Sequence, residues 1–249
     1  MGGFADTGQV SVRIRWVITM RAGGVLVSPF DFLDLGDHVG DDPDCGGHLS
    51  RAWLVAAIGL GVDRVVWMSQ VHGDRVKVVH EPCDAVVDNT DALVTRTSQP
   101  ALPVVTIHCV PVLLSDARPG VTAAVHVGEG RGSARCASPC DGYDAGPGCV
   151  RWRRDIAVLL GPAVSGRNYE VPVVIADGVE AASPDSCTTT RISAGTPGLD
   201  LRTGIACQFR DLGVMSIEDD PRRTVADRAL FSHLQTVSTG RLASLVWME

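Results

Sequence analysis

The sequence predicts an α+β (mixed α/β) fold, with mixed β-sheets flanked by helices in a single compact domain over residues 1–249. Three observations predict it. Short β-branched segments bounded by turn residues recur along most of the chain. Three stretches carry the apolar spacing of a helix instead. Hydrophobic residues make up 45% of the 249 but aromatics only 5%, so Val, Ala and Leu must fill the core. A chain of this length buries most of its apolar surface without staples.

In chain order, Val10, Val12, Ile14, Trp16 and Ile18 alternate as a half-buried strand does. Arg21, Ala22, Gly23 and Gly24 end it in a turn. No Walker or dinucleotide pattern surrounds the two glycines, so they are not read as a phosphate cradle. A Gly- and Asp-rich loop over 34–42 leads to Asp42-Pro43, an N-cap followed by proline at the first helical position. That helix is expected to bury Leu49, Trp53, Ala56, Ala57 and Leu60, and to stop near Gly59 or Gly61. Strands are expected over 64–68, 75–79, 92–95, 104–107, 111–115, 121–127 and 156–160. Helices follow over 170–182 and 202–212. The second puts Ile205, Phe209 and Leu212 on one face and ends at Gly213. Strands over 214–217 and 244–247 close the fold.

Net charge is −7 and no basic stripe is present, which argues against nucleic-acid binding. A small anionic substrate stays compatible, because a local metal can outweigh the overall charge. No apolar run is long enough for a membrane span, and residues 1–10 lack the features of a signal peptide. The expected location is therefore the cytoplasm. The eight cysteines are scattered and are read as free thiols.

His72, Cys109 and His126 carry the chemistry. Each sits at or near the end of a β-like segment, over 64–70, 101–107 and 121–125 respectively. Taken one at a time, they read as a loop histidine, a core thiol and a core histidine. Together, two imidazoles and one thiolate make a zinc set with one coordination position open, as a catalytic metal needs. Their spacing is too wide for a finger or ribbon, so the fold must bring them together. Copper can also use such a set. A multicopper enzyme, however, needs more than the seven histidines here can supply.

Three segments carry a resemblance: Ser69-Gln70-Val71-His72-Gly73, Thr106-Ile107-His108-Cys109-Val110-Pro111, and Ala123-Ala124-Val125-His126-Val127-Gly128. Matches at Leu199-Asp200-Leu201, Phe231-Ser232 and Thr239-Gly240-Arg241 extend it. The chain resembles the bacterial and vertebrate purine nucleoside phosphorylase family, formerly called multicopper polyphenol oxidases and also described as laccase-domain proteins. The resemblance implies Zn2+ held by His72, Cys109 and His126, which act in catalysis through the metal. It implies phosphorolysis of the purine nucleosides adenosine, inosine and methylthioadenosine by phosphate, with secondary adenosine deaminase activity. A role in editing peptidoglycan precursors belongs to the same resemblance. The expected assembly is a monomer or homodimer.

Gln70 and Arg241 are the candidate substrate-binding residues. Gln70 lies two residues from His72 and Arg241 is suited to phosphate; their plainer roles are a surface amide and a solvated turn arginine. His108 stands where the family usually has Asp, and an Arg pair usual after Phe231-Ser232 is missing near Leu234-Gln235. Losing a carboxylate beside the metal predicts reduced or altered activity, and a decayed, inactive member is one alternative. A Cys–His hydrolase with Cys109 as nucleophile is another.

Segment 128–154 is atypical. It holds Gly, Arg, Cys, Pro and Asp with almost no aliphatic residues, where the family continues as a long amphipathic helix. A structureless loop of that length is improbable in a compact domain. Cys136, Cys140 and Cys149 complete no recognised metal spacing. The composition is what a GC-rich gene gives when read out of frame between two compensating shifts.

Overall fold

The computed structural model describes residues 12–23, 33–36, 46–118, 120–129, 156–188, 195–236 and 238–249. The Asp42-Pro43 cap and nearly all of the atypical segment 128–154 lie outside these residues. The described strands form a three-stranded sheet, a six-stranded sheet and a two-stranded pair. β1 (Ile14–Ile18), β11 (Leu242–Met248) and β4 (Leu102–Thr106) make the three-stranded sheet, with β11 in the centre and both pairings antiparallel. The six-stranded sheet has the order β10 (Ser216–Asp219), β7 (Ala157–Leu160), β5 (Val110–Asp116), β6 (Val121–Val127), β3 (Ala92–Thr95) and β2 (Val76–Val79). Its two edge pairs are parallel and its central pairs antiparallel. β8 (Cys187–Thr188) and β9 (Gly198–Leu199) form the short pair, which the sequence pattern does not announce.

Alternation decides which layer each residue joins. Val112 and Leu114 of β5, with Ala123 and Val125 of β6, pack with helices α2 (Val173–Ala182) and α3 (Leu201–Asp211) through Ala176, Val179, Ile205 and Phe209. Leu113, Ala124 and Leu93 point the other way. They meet Leu102, Val104 and Val246 of the three-stranded sheet. The far side of that sheet, through Ala243, Leu245 and Trp247, covers Leu54 and Val55 of α1 (Gly46–Ala57). The layers therefore run helices, six strands, three strands, helix. Every residue of β5, β6 and β11 is buried, so these strands are covered on both faces.

Local signals explain the helix ends. Asp200 caps α3 by accepting the Thr203 N–H, and Gly213 at φ 80° ends it. Gly59 at φ 76° stops α1 in the same way. α2 begins at Val173, later than the expected 170, because Pro172 precedes it and Glu170 pairs with Gly198 in an isolated bridge. No helix among the described residues is long and apolar enough to cross a membrane.

Two expectations fail. Residues 64–68 do not form a strand; a 3-10 turn over Val62–Arg64 is followed by isolated bridges from Val65 to Ala101 and from Met68 to Val87. The face of α1 is also turned. Leu49, Trp53, Ala56 and Ala57 are exposed, while Ser50, Arg51, Leu54 and Val55 are buried. Arg51 decides this: its guanidinium lies 3.9 Å from the Trp67 ring centroid and donates to the Leu35 carbonyl. A cation stacked on an aromatic face and hydrogen-bonded can be buried, and apolar periodicity does not register it.

Leu113 is wholly buried at the junction of the two sheets. Leu113→Ala is expected to lower unfolding stability by about 2–5 kcal/mol in urea titrations. Met215→Ala, at a side chain 89% exposed, is expected to leave stability within about 0.5 kcal/mol.

Candidate metal centre

Sheet registry assembles the site. β5 and β6 pair with Pro111 opposite His126, so Cys109, in the turn leading into β5, reaches the end of β6 that carries His126. β3 pairs β6 with Ala92 opposite Val125. Asp91, one residue before β3, therefore falls beside His126, and the His126 N–H donates to the Asp91 carbonyl at 2.8 Å. His72 arrives separately, on the turn that precedes β2.

The ligand atoms of His72, Cys109 and His126 all lie within 4.8 Å of one another. His72 Nε2 is 3.6 Å from Cys109 Sγ, and the two imidazole rings stand edge to face with centroids 4.6 Å apart. His126 is buried, His72 is exposed and Cys109 is intermediate, so the group reaches from the core to the surface. This donor set fits a divalent ion: one anionic sulfur and two nitrogens suit borderline metals, and three ligands leave a position open.

A carboxylate beside the group is the residue that sequence reasoning missed. His126 Nδ1 donates to Asp91 Oδ1 at 2.8 Å, which leaves Nε2 to act as a ligand. The same carboxylate accepts the N–H groups of Val71, His72 and Gly73 at 3.2, 2.9 and 2.8 Å. His72 sits at φ 58°. That left-handed backbone costs about 1–2 kcal/mol for a residue with a Cβ, and these hydrogen bonds hold it. An acid directly before a buried strand is the only local signal Asp91 offers. Its partners come from 18 to 35 positions away.

These contacts shift the ionisation of every member. Burial pushes the Cys109 thiol up, but hydrogen bonds from His126 and His72, with their charge, bring it down to about 6. Burial disfavours the His126 imidazolium, yet Asp91 and Cys109 raise it to about 9. The hydrogen bond to Cys109 raises His72. For Asp91, burial opposes ionisation but the bonds from His126, Gly73 and Val71 outweigh it. Thiol and imidazoles are thus shifted toward each other's charged forms, and binding a cation through these atoms would release the imidazole protons.

A cavity of about 380 Å3 opens over the group. Met68, Val86, Val105 and Ile107 contribute apolar lining, and Gln70, Arg51, His108 and Arg241 are among its polar members. Gln70 lines the cavity, but both ends of its amide bind the Val105 backbone, at 2.7 and 2.8 Å. The Arg241 guanidinium donates to the Thr239 carbonyl, while the Arg241 backbone N–H donates to buried Asp34. His108 lies on this wall and apart from the metal group. Its Nε2 accepts the Leu234 N–H, so Nδ1 carries the proton toward Thr224 Oγ1 at 3.1 Å. Burial, with the charges of His233 and Arg241, lowers its pKa to about 4.

Fold and donor set define an α+β protein with a candidate three-ligand metal centre under a half-apolar cavity. The chain belongs to the multi-copper polyphenol oxidoreductase laccase family, whose model matches residues 15–249. A purine nucleoside phosphorylase of Mycobacterium tuberculosis is 60% identical over 244 residues, covering 98% of this chain and 96% of that protein. One from Corynebacterium glutamicum is 44% identical over 241 residues, covering 94% of each. The crystal structure of a Neisseria meningitidis protein superposes with a TM-score of 0.76 at 26% identity, covering 95% of this chain and 94% of that one. YlmD of Geobacillus stearothermophilus shares the fold, with a TM-score of 0.77 at 24% identity over 96% of this chain and 92% of its own.

Gly128 closes the site from behind. A Cβ there would stand 2.8 Å from His72 Cδ2 and 3.2 Å from Cys109 Sγ. Its φ is not among the left-handed ones, so alanine strains only the ligands. Gly128→Ala is expected to retain the fold but lose about tenfold or more in metal affinity, read by elemental analysis after dialysis against a weak chelator.

Proposed function

We propose that the protein is a zinc-dependent purine nucleoside phosphorylase acting on adenosine, inosine and methylthioadenosine with phosphate, with secondary adenosine deaminase activity. The observation that carries this reading is the convergence of His72, Cys109 and His126 beneath a cavity that also presents Arg241. The mycobacterial and corynebacterial relatives, both named purine nucleoside phosphorylases, support it. We favour zinc over copper, since thiolate and imidazole are ordinary zinc ligands and three of them leave the open position a catalytic zinc keeps. A bound ion supplies Lewis-acid polarisation of a substrate atom. We place the enzyme in the cytoplasm, where a thiol such as Cys109 stays reduced.

The chain's own residues have separable tasks. Phosphorolysis needs phosphate at the anomeric carbon while the purine leaves. Arg241 holds phosphate: its guanidinium is tethered to Thr239, so little freedom is lost on binding. Met68, Val86, Val105 and Ile107 exclude water and pack against the purine. Gln70 keeps that wall in place through Val105. His108, neutral and tied to Leu234 and Thr224, borders the substrate without adding charge. A carboxylate still serves the metal side, but it comes from Asp91 and not from position 108.

Adenosine and phosphate should yield adenine and a ribose phosphate, with inosine as the minor deamination product. The appearance of neither product with zinc-loaded protein would overturn the reading. Arg241→Ala is expected to raise the phosphate KM about tenfold or more, with the nucleoside KM nearly unchanged. His72→Ala should lose both the metal and the activity.

A second reading has one observation in its favour. The Cys109 thiol brought down to about 6, beside two raised imidazoles, is the pairing a Cys–His hydrolase uses. Thiol titration separates the two. Under the phosphorylase reading Cys109 resists a thiol reagent until a chelator removes the metal. It then reacts readily above about pH 6 and slows below it, as the thiolate takes up its proton. Immediate reaction of the protein as isolated would favour the hydrolase.

A further inference from the structure

Asp91 is wholly buried and receives four hydrogen bonds on its carboxylate. Oδ1 takes the His72 N–H and His126 Nδ1, and Oδ2 takes the N–H groups of Val71 and Gly73. An ionised carboxylate offers about four lone-pair sites, so all of them are used. A group with no acceptor site left is neither a metal ligand nor a base. What remains is geometry: two of these bonds act directly on ligand residues, one on a side chain and one on a backbone.

We propose, on the reading that this is a metal centre, that Asp91 is the positioning residue that pre-forms it. One carboxylate fixes the ring of His126 and, through three consecutive N–H groups, the left-handed turn that aims His72. Asp91 thereby couples two ligands that sit 54 positions apart in the chain, at 72 and 126. The site is set before an ion arrives, so the protein folds without metal and then binds it, unlike a structural zinc site, whose ligands order only with the ion. The charge follows the same plan. Thiolate and carboxylate together offset a divalent cation, so a loaded site is close to neutral.

Asn is the sharp test because it is close in shape but opposite in polarity on one side. Its amide has one accepting oxygen and an NH2 that would face two of the four donors. Cobalt(II) is the probe, added to metal-free protein with a competing chelator. The wild type is expected to show thiolate-to-cobalt and d–d absorption. Asp91→Asn is expected to bind cobalt about 10–100-fold more weakly and to show shifted bands at saturation. A merely structural role would lower the melting temperature and leave the bands of the bound ion alone. Equal affinity with identical bands overturns the role of Asp91 and leaves the metal centre standing. A wild type that takes up neither cobalt nor zinc removes the metal centre, and this role with it. Should the Asn variant not fold, the wild type suffices. In metal-free protein the amides of Val71, His72 and Gly73 are expected to exchange slowly with deuterium, although Val71 and His72 are exposed. Exchange as fast as in an open loop overturns the proposal.

Discussion

The pairing of β6 with its two neighbours sets the geometry on which the site rests. β6 lies between β5 and β3, and each ladder delivers one group to the same place. The β5 ladder brings the turn of Cys109 to the end of β6, and the β3 ladder brings Asp91 alongside His126. Side chains alternate along a strand, so a one-residue slip of β6 would move His126 to the helix-facing side and separate it from both. The slip is prevented by burial on both faces. Ala123 and Val125 fill the layer against the helices, and Ala124 fills the layer between the sheets. The packing that stabilises the fold is the same packing that registers the ligands.

The remaining ligand is held by electrostatics. His72 stands on an exposed turn, and its backbone is in a left-handed conformation that costs energy. A buried carboxylate gathers that turn and joins it to the β-sheet part of the site. Burial opposes a charge on Asp91, but the donors around it more than compensate. The net result is a hydrogen-bonded group next to an open cavity lined by apolar side chains and by Arg241. A cavity lined by apolar side chains and an arginine suits a ligand with a flat apolar part and an anionic part, as the proposed function requires.

The parts of the fold legible in the sequence were those written in local patterns. Strands over 92–95 and 121–127 stand within the limits expected, because β-branched runs with turn residues at both ends leave little choice. Gly213 and Gly59 stop their helices where a left-handed residue is needed. The turned face of α1 was not legible. Apolar spacing favoured Leu49 and Trp53, but the helix is oriented by Arg51, whose partners Trp67 and Leu35 come from distant segments. The isolated bridges of Val65 and Met68 escaped for a related reason: the segment has the composition of a strand but finds a ladder at single residues only.

The residue types of the candidate metal group, and their order in the chain, are legible in the sequence because each stands in a recognisable motif at the end of a β-like segment. The sequence by itself therefore determined which side chains are available: a thiol at 109 and imidazoles at 72 and 126, in an acidic chain with a Val- and Ala-rich core. Only the tertiary structure decided that the donor atoms of these three lie within 4.8 Å of one another, that Asp91 stands behind two of them, and that His108 turns to Thr224 and Leu234. The physical reason is that coordination and hydrogen bonding act over about 2–4 Å in space, whereas the groups involved are set tens of residues apart along the chain. Their meeting depends on sheet registry, which is a property of the packed whole.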